Sequence, residues 1–190
     1  MTDFNQPLDK YAKAQRIVTD EQAIQAAKQV AAFALIKRDE RDQQRQLPFA
    51  VMDLFSQTGL GGIRIPKQYG GAEVSNRTLA DVFRILSKAD ANIGLIPQNQ
   101  ISLLNIINII GNDSQKRFIF GEILSGSRLA NGGPERDTKD SKTLATTLTI
   151  ANNGYYLNGE KFYSTGSSFA DYLAIKALHP EGHVVLTIID

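Results

Sequence analysis

The densest run of side chains able to do chemistry in this 190-residue chain is Gly154–Asp171, GYYLNGEKFYSTGSSFAD. It carries the ammonium of Lys161, the ring of Tyr163 and the hydroxyls of Ser164 and Thr165 in succession, just ahead of Gly166. An aromatic face with hydrogen-bonding groups fixed beside it is what a planar heterocycle needs from a protein surface. The same residues also have an ordinary reading. Ser and Thr before a glycine commonly serve a turn, and an aromatic in a strand commonly packs. Asn131-Gly132-Gly133 taken alone reads as a loop. Cysteine is absent, which removes disulfides, thiolate metal sites and cysteine nucleophiles. The two histidines, His179 and His183, lie four residues apart with no third ligand identified nearby, so they read as solvated loop residues with no metal site.

The elements that must position these groups change character along the chain. Thr19 and Gln22 have the spacing of a capping box ahead of Ile24, Ala27, Val30, Ala31, Ala34 and Leu35, which recur at helical spacing. That helix is expected to fray in the charged stretch Lys37 to Arg45. Pro48 suits a helix first turn, and Val51, Met52, Leu54 and Phe55 give an apolar face closed by Gly59. LGGIRIPKQYGG, Leu60 to Gly71, reads as a glycine-punctuated connector with two inward Ile. Its glycines follow a helix and open none, so they are no phosphate-binding GxGxxG. Ser75 caps a helix carrying Leu79, Val82, Phe83 and Leu86. A buried helix lies within Ile93 to Ile110, with Pro97 in its first turn, and another starts at Asn112 or Asp113 and ends at Gly126.

After Gly126 the period becomes strand-like. Leu144, Thr146, Leu148 and Ile150 alternate with smaller or polar neighbours, and Tyr172–Ile175 and Val184–Ile189 read as further strands. Between them, Tyr155–Leu157 and Lys161–Thr165 predict a hairpin turning at Asn158-Gly159, where a type I′ turn needs positive φ at both central residues. Helices followed by strands imply an α+β protein: an N-terminal α-helical bundle, residues 1–126, then an incomplete antiparallel β-domain, residues 127–190.

Composition limits the partners. Twenty-one Lys and Arg balance twenty Asp and Glu, a formal charge of +1, which argues against a nucleic-acid or polybasic membrane surface. The first residues do not read as a secretory signal, and no apolar run is read as approaching the roughly 18 residues of a bilayer span. A cytoplasmic protein is the expectation.

Three segments in order, Gly59–Pro66, Tyr69-Gly70-Gly71 and the Gly154–Asp171 run, resemble the N-terminal domain and the start of the middle β-domain of acyl-CoA dehydrogenases. Asn131-Gly132-Gly133-Pro134-Glu135-Arg136-Asp137-Thr138 departs from the Thr-Glu-Pro-x-Ala-Gly-Ser-Asp loop of the dehydrogenases. Glu135–Lys139 and Lys161–Gly166 look instead like the dibenzothiophene monooxygenase and sulfur-acquisition oxidoreductase subgroup. The resemblance implies a flavin cofactor, FMN ahead of FAD, and a reduced-FMN-dependent monooxygenase acting on small organosulfur compounds, with a flavin reductase as supplier and a homo-oligomeric full-length form. It implies that Tyr163 lies against the ring, Thr165 reaches toward N5, Asn131 reaches the pyrimidine edge, Thr138 contacts a phosphate, and Lys161 approaches the flavin phosphate or stays in solvent.

Two departures qualify these expectations. Members of the oxygenase branch carry a histidine in the fourth helix, where this chain offers Gln98, Asn99 and Gln100; amides orient a group but donate no proton at neutral pH. Family members are also longer, adding a C-terminal helical bundle, so the chain reads as truncated and is expected to bind flavin weakly and to turn over no substrate alone. An FAD-dependent acyl-CoA dehydrogenase fragment, a non-catalytic remnant and an unrelated α+β binding domain are the alternatives.

Overall fold

Reciprocal capping starts the first helix where the spacing of Thr19 and Gln22 places it. The Thr19 hydroxyl accepts from the Gln22 N–H, and the Gln22 side chain accepts from the Thr19 N–H, at the head of α1 (Asp20–Leu35). The computed structural model describes residues 14–136, 144–152 and 154–190. It divides the chain into two units, one ending at Arg128 and one spanning Leu129–Asp190.

In the first unit α1 buries Ala23, Ala27, Val30, Ala31 and Ala34, a stripe of mostly small side chains that lets α4 (Asn76–Ala89) approach closely. Asp20 ties the two N-termini together, accepting from the hydroxyls of Ser75 at 2.9 Å and Thr78 at 2.7 Å. Those two bonds hold its carboxyl below the usual value. The charged stretch after α1 does not simply fray. Lys37 takes φ 56°, a short α2 (Arg38–Gln43) follows, and the Arg41 guanidinium folds back onto the carbonyls of Ala34 and Ile36 and onto Asp90 at 3.3 Å. Carbonyls at the end of α1 that lack helical partners thus find a donor outside the helix.

Helix α3 (Phe49–Gln57) ends at Gly59, whose φ of 81° and close approach both require glycine: an added Cβ would lie 2.2 Å from the Gln15 carbonyl oxygen. The connector that follows buries Ile63 and Ile65 as expected. It folds back tightly enough that a Cβ on Gly71 would sit 2.0 Å from the Ile65 carbonyl oxygen. The apolar stretch from Ala91 to Ile110 is, contrary to the sequence expectation, long and apolar enough by length and composition to cross a membrane. Here it breaks at Pro97 into α5 (Ala91–Leu95) and α6 (Gln98–Ile110), with Ile93, Ile101, Leu103, Leu104 and Ile107 in the core. Helix α7 (Asp113–Ser125) opens on an Asn112–Gln115 capping box and closes at Gly126, φ 110°. A buried ion pair, Arg128 to Asp53 at 2.7 Å, links the end of this unit to α3.

The second unit is one five-stranded mixed sheet: β1 (Leu129–Gly132), β2 (Thr147–Ala151), β3 (Gly154–Asn158), β4 (Tyr172–Leu178) and β5 (Val184–Ile189). The main path runs β1-β4-β2-β3, and β5 pairs with β4. β2/β3 and β4/β5 are antiparallel, whereas β1 runs parallel to β4 and β2 meets β4 in parallel at its first residue. The expected turn at Asn158-Gly159 is not the hairpin turn. β3 pairs backward with β2, Ile150 opposite Tyr155 and Thr147 opposite Asn158, and Lys161–Thr165 is not strand. Gly159 instead lies so close to Thr146 that a Cβ would fall 2.6 Å from its Cα, and the chain leaves the sheet there at φ 154°.

The glycine geometry yields opposite outcomes at two sites. Gly71→Ala is expected to lower the unfolding free energy by at least about 2 kcal/mol, because the obstacle is backbone. Gly121→Ala, in α7 with nothing within 4 Å of its added Cβ, is expected to raise it by roughly 0.5–1 kcal/mol. Urea unfolding of the two variants checks both signs.

Candidate functional site

A single carboxylate organises the loop that carries the candidate residues. Glu135, just beyond β1, accepts from the backbone N–H groups of Ala145 at 2.5 Å and Thr146 at 3.0 Å, and from Lys161 Nζ at 2.5 Å. The side chains of Glu135 and Lys161 are 3% and 7% exposed. Burial pushes the Glu135 carboxyl up, but the Lys161 ammonium and the donors around Ala145 and Thr146 outweigh it and hold it at about 2. Gly132 gives room to Ile175, whose Cδ1 would lie 2.3 Å from an added Cβ, while the Lys161 stem would keep ordinary contact at 3.5 Å. Adjacent contacts fix the same loop: Phe162 N–H donates to the Pro134 carbonyl at 3.1 Å, and the Arg136 guanidinium lies 4.0 Å from the Phe162 ring centroid.

This clamp delivers the chain into a tight corner. Tyr163 adopts φ 56°, a left-handed conformation uncommon for a bulky residue, and its side chain is 84% exposed. Thr165 folds back on it, with N–H to the Tyr163 carbonyl at 2.7 Å and hydroxyl to the same oxygen at 3.4 Å. The 3-10 turn Ser167–Phe169 then buries Phe169 and packs against β1. Asn131 sits on β1 in register with Ala174, half-buried, and makes no side-chain hydrogen bond among the described residues.

The predicted residues therefore take different places. Asn131, Lys161, Tyr163 and Thr165 belong to one unit, and the turn following Thr165 lies beside the strand of Asn131. Lys161 is engaged by Glu135 and the Gly133 carbonyl. Thr138 lies outside the described residues. Glu135 entered the sequence reading only as part of a loop motif; its partner is 26 positions away, beyond any local pattern. In the other unit Gln100, on α6, is buried and donates to the Gly61 carbonyl at 3.0 Å, so it braces the glycine connector.

A helical N-terminal unit followed by a small mixed sheet is the architecture of the acyl-CoA dehydrogenase-like flavoproteins. Residues 18–127 match the family described as "Acyl-CoA dehydrogenase, N-terminal domain", and the chain belongs to that flavin-binding family. Among its relatives is a 3-(aryl)acrylate reductase of Clostridium sporogenes (strain ATCC 15579), 30% identical over 142 residues, covering 73% of this chain and 38% of the relative. A dibenzothiophene monooxygenase of Mycolicibacterium goodii is 25% identical over 126 residues, 66% of this chain and 30% of the relative. The crystal structure of FMN-bound TdsC from Paenibacillus sp. A11-2 shares the fold with a TM-score of 0.76 at 24% identity, over 88% of this chain and 43% of that one. The chain spans under half the length of each.

The Glu135–Lys161 pair carries a pH signature. The folded carboxyl lies at about 2, below its ordinary 4.5, so its stabilisation is full above the unfolded value and is lost as pH falls toward 2. Glu135→Gln leaves a buried ammonium without its counter-charge and is expected to cost about 3–5 kcal/mol at neutral pH. Urea unfolding across the acid range should show the gap between wild type and variant closing as pH falls through that window.

Proposed function

We propose that this chain is the N-terminal part of a flavin-dependent monooxygenase of the acyl-CoA dehydrogenase family, using reduced FMN on small organosulfur or similar compounds. The observation that carries the reading is Tyr163, a large aromatic held at positive φ and exposed, beside Thr165 and on the same sheet unit as the Asn131 amide, which makes no side-chain hydrogen bond among the described residues. An aromatic kept out of the core at a strained backbone position is the kind of outlier from which function is inferred. A face of this kind with hydroxyl and amide groups suits a flavin, which supplies the redox chemistry when bound while the protein orients it.

The residue roles follow from that fit. Tyr163 offers the ring face, Thr165 the hydroxyl toward N5, and Asn131 the donor and acceptor of its amide toward the pyrimidine edge. Thr138 is assigned a phosphate contact from its motif alone. Lys161, paired with Glu135, acts by fixing the corner. A small-molecule substrate, a flavin reductase as supplier, a homo-oligomeric full-length form and a cytoplasmic location complete the reading. The reading assigns the helical part to residues 1–126 and the flavin-binding part to residues 127–190.

A second reading is an FAD-dependent acyl-CoA dehydrogenase fragment, which the family match over residues 18–127 also supports. Titration of the full 190-residue chain with FMN and with FAD, followed by flavin fluorescence, separates them. The expected outcome is weak FMN binding, FMN tighter than FAD, and no turnover by the chain alone. Thr165→Ala and Asn131→Ala should each weaken FMN binding about fivefold, the equivalent of one hydrogen bond of roughly 1 kcal/mol. FAD binding more tightly than FMN selects the second reading, and loss-free binding in both variants removes the assigned roles.

A further inference from the structure

The turn joining β4 to β5 is closed by two backbone hydrogen bonds. His179 and His183 face each other across the hairpin mouth, one residue beyond the last register pair, Leu178 with Val184. The His179 N–H donates to the His183 carbonyl, and the Gly182 N–H donates to the His179 carbonyl, both at 2.8 Å. Pro180 follows His179, and Gly182 takes φ 86°. This is a three-residue hairpin loop with proline where a type I turn favours it and glycine at the left-handed position. Nothing in the flavin reading uses this end of the sheet.

Three ligand-bearing side chains converge there. The sequence reading identified no third ligand for the histidines, but the turn places Glu181 between them. Its Oε2 lies 3.9 Å from Nδ1 of His179 and 3.9 Å from Nδ1 of His183. The ligand atoms of all three residues fall within 4.8 Å of one another. The Glu181 N–H donates to the Nδ1 lone pair of His179 at 3.3 Å, a contact that an ion bound through that nitrogen displaces. A tetrahedral zinc ion, with bonds of about 2.0–2.1 Å, needs neighbouring ligand atoms roughly 3.4 Å apart. The observed spacings of 3.9 Å to Glu181 are longer than that, so the side chains close in and the rings turn when the ion binds.

We propose that His179, Glu181 and His183 form a site for a divalent transition ion of the zinc type, with two imidazole nitrogens, one carboxylate oxygen and a remaining position for water. The two rings are now stacked, centroids 4.4 Å apart and planes at 24°. An ion lying in both ring planes requires them to splay. His183, with a side chain 55% exposed, is free to make that rotation, while His179, at 15%, is the fixed ligand. The ion would fasten the β4–β5 turn by bridging its two ends and its tip.

Calorimetric titration of the full chain with zinc chloride, paired with histidine-ring NMR spectra, tests the site. One ion per chain is expected, with shifts confined to His179, His183 and the turn amides. His183→Ala and Glu181→Ala alter exposed side chains and should leave the fold intact while weakening zinc binding by at least roughly 10-fold. Zinc should also raise the unfolding temperature of wild type and raise it less in either variant. No binding, binding of unchanged affinity in both variants, or one ion shared between two chains would each overturn the proposal, and none of these outcomes bears on flavin binding.

Discussion

A carboxylate withdrawn from water must find donors, and Glu135 finds them in two distant parts of the chain: the backbone leading into β2 and the ammonium of Lys161. That requirement closes the loop between β1 and β2 and anchors the segment that leaves β3. With Lys161 pinned, the next residues cannot continue as a strand, and the chain turns through Tyr163 at positive φ into the Ser167–Phe169 turn and β4. The exposed ring of Tyr163 thus follows Lys161, the buried cation of that pair, by two residues. Lys161 acts as a positioning residue, because it is buried and its ammonium is taken up by Glu135.

The helical unit solves a different problem, close approach of backbone. Gly59 lies against Gln15, Gly61 against the amide of Gln100, and Gly71 against Ile65, so the connector between α3 and α4 has no room for Cβ atoms at these points. Gln100 stands in the region where the oxygenase branch was expected to carry a histidine, and it is committed to the Gly61 carbonyl. Its role in this chain is therefore architectural. Arg128 and Asp53 repeat the device seen in the sheet, a buried charge pair joining segments far apart in sequence.

Much of the helical unit was legible because its signals are short-ranged. Thr19 with Gln22, Ser75 with Thr78, and Asn112 with Gln115 each act within one helical turn, and the glycines that end α3 and α7 act on their own backbone. The order of helices before strands and the family motifs were equally readable. The sheet was less so. Asn158-Gly159 carries a strong hairpin signal, yet Asn153-Gly154 carries the same dipeptide, and the choice belongs to whichever strand can pair. β2, preceding β3, offered a full register, whereas Lys161–Thr165 was already held by Glu135 and Pro134. Parallel pairing of β1 with β4 has no local signature at all, since it depends on a connection of about forty residues.

Composition and local pattern alone settled that this chain is an α-then-β protein without cysteine chemistry, where its principal helices begin and end, and which family its motifs belong to. Those properties arise from interactions within about four residues, and they survive in any fold that accepts them. Tertiary structure decided which backbone each strand meets, that Lys161 serves Glu135, that Tyr163 stands outside the core, and that Glu181 lies between two histidines. Each of these depends on the path of the chain through space, because ion pairing, burial and convergence of ligands are set by distance and not by order along the sequence.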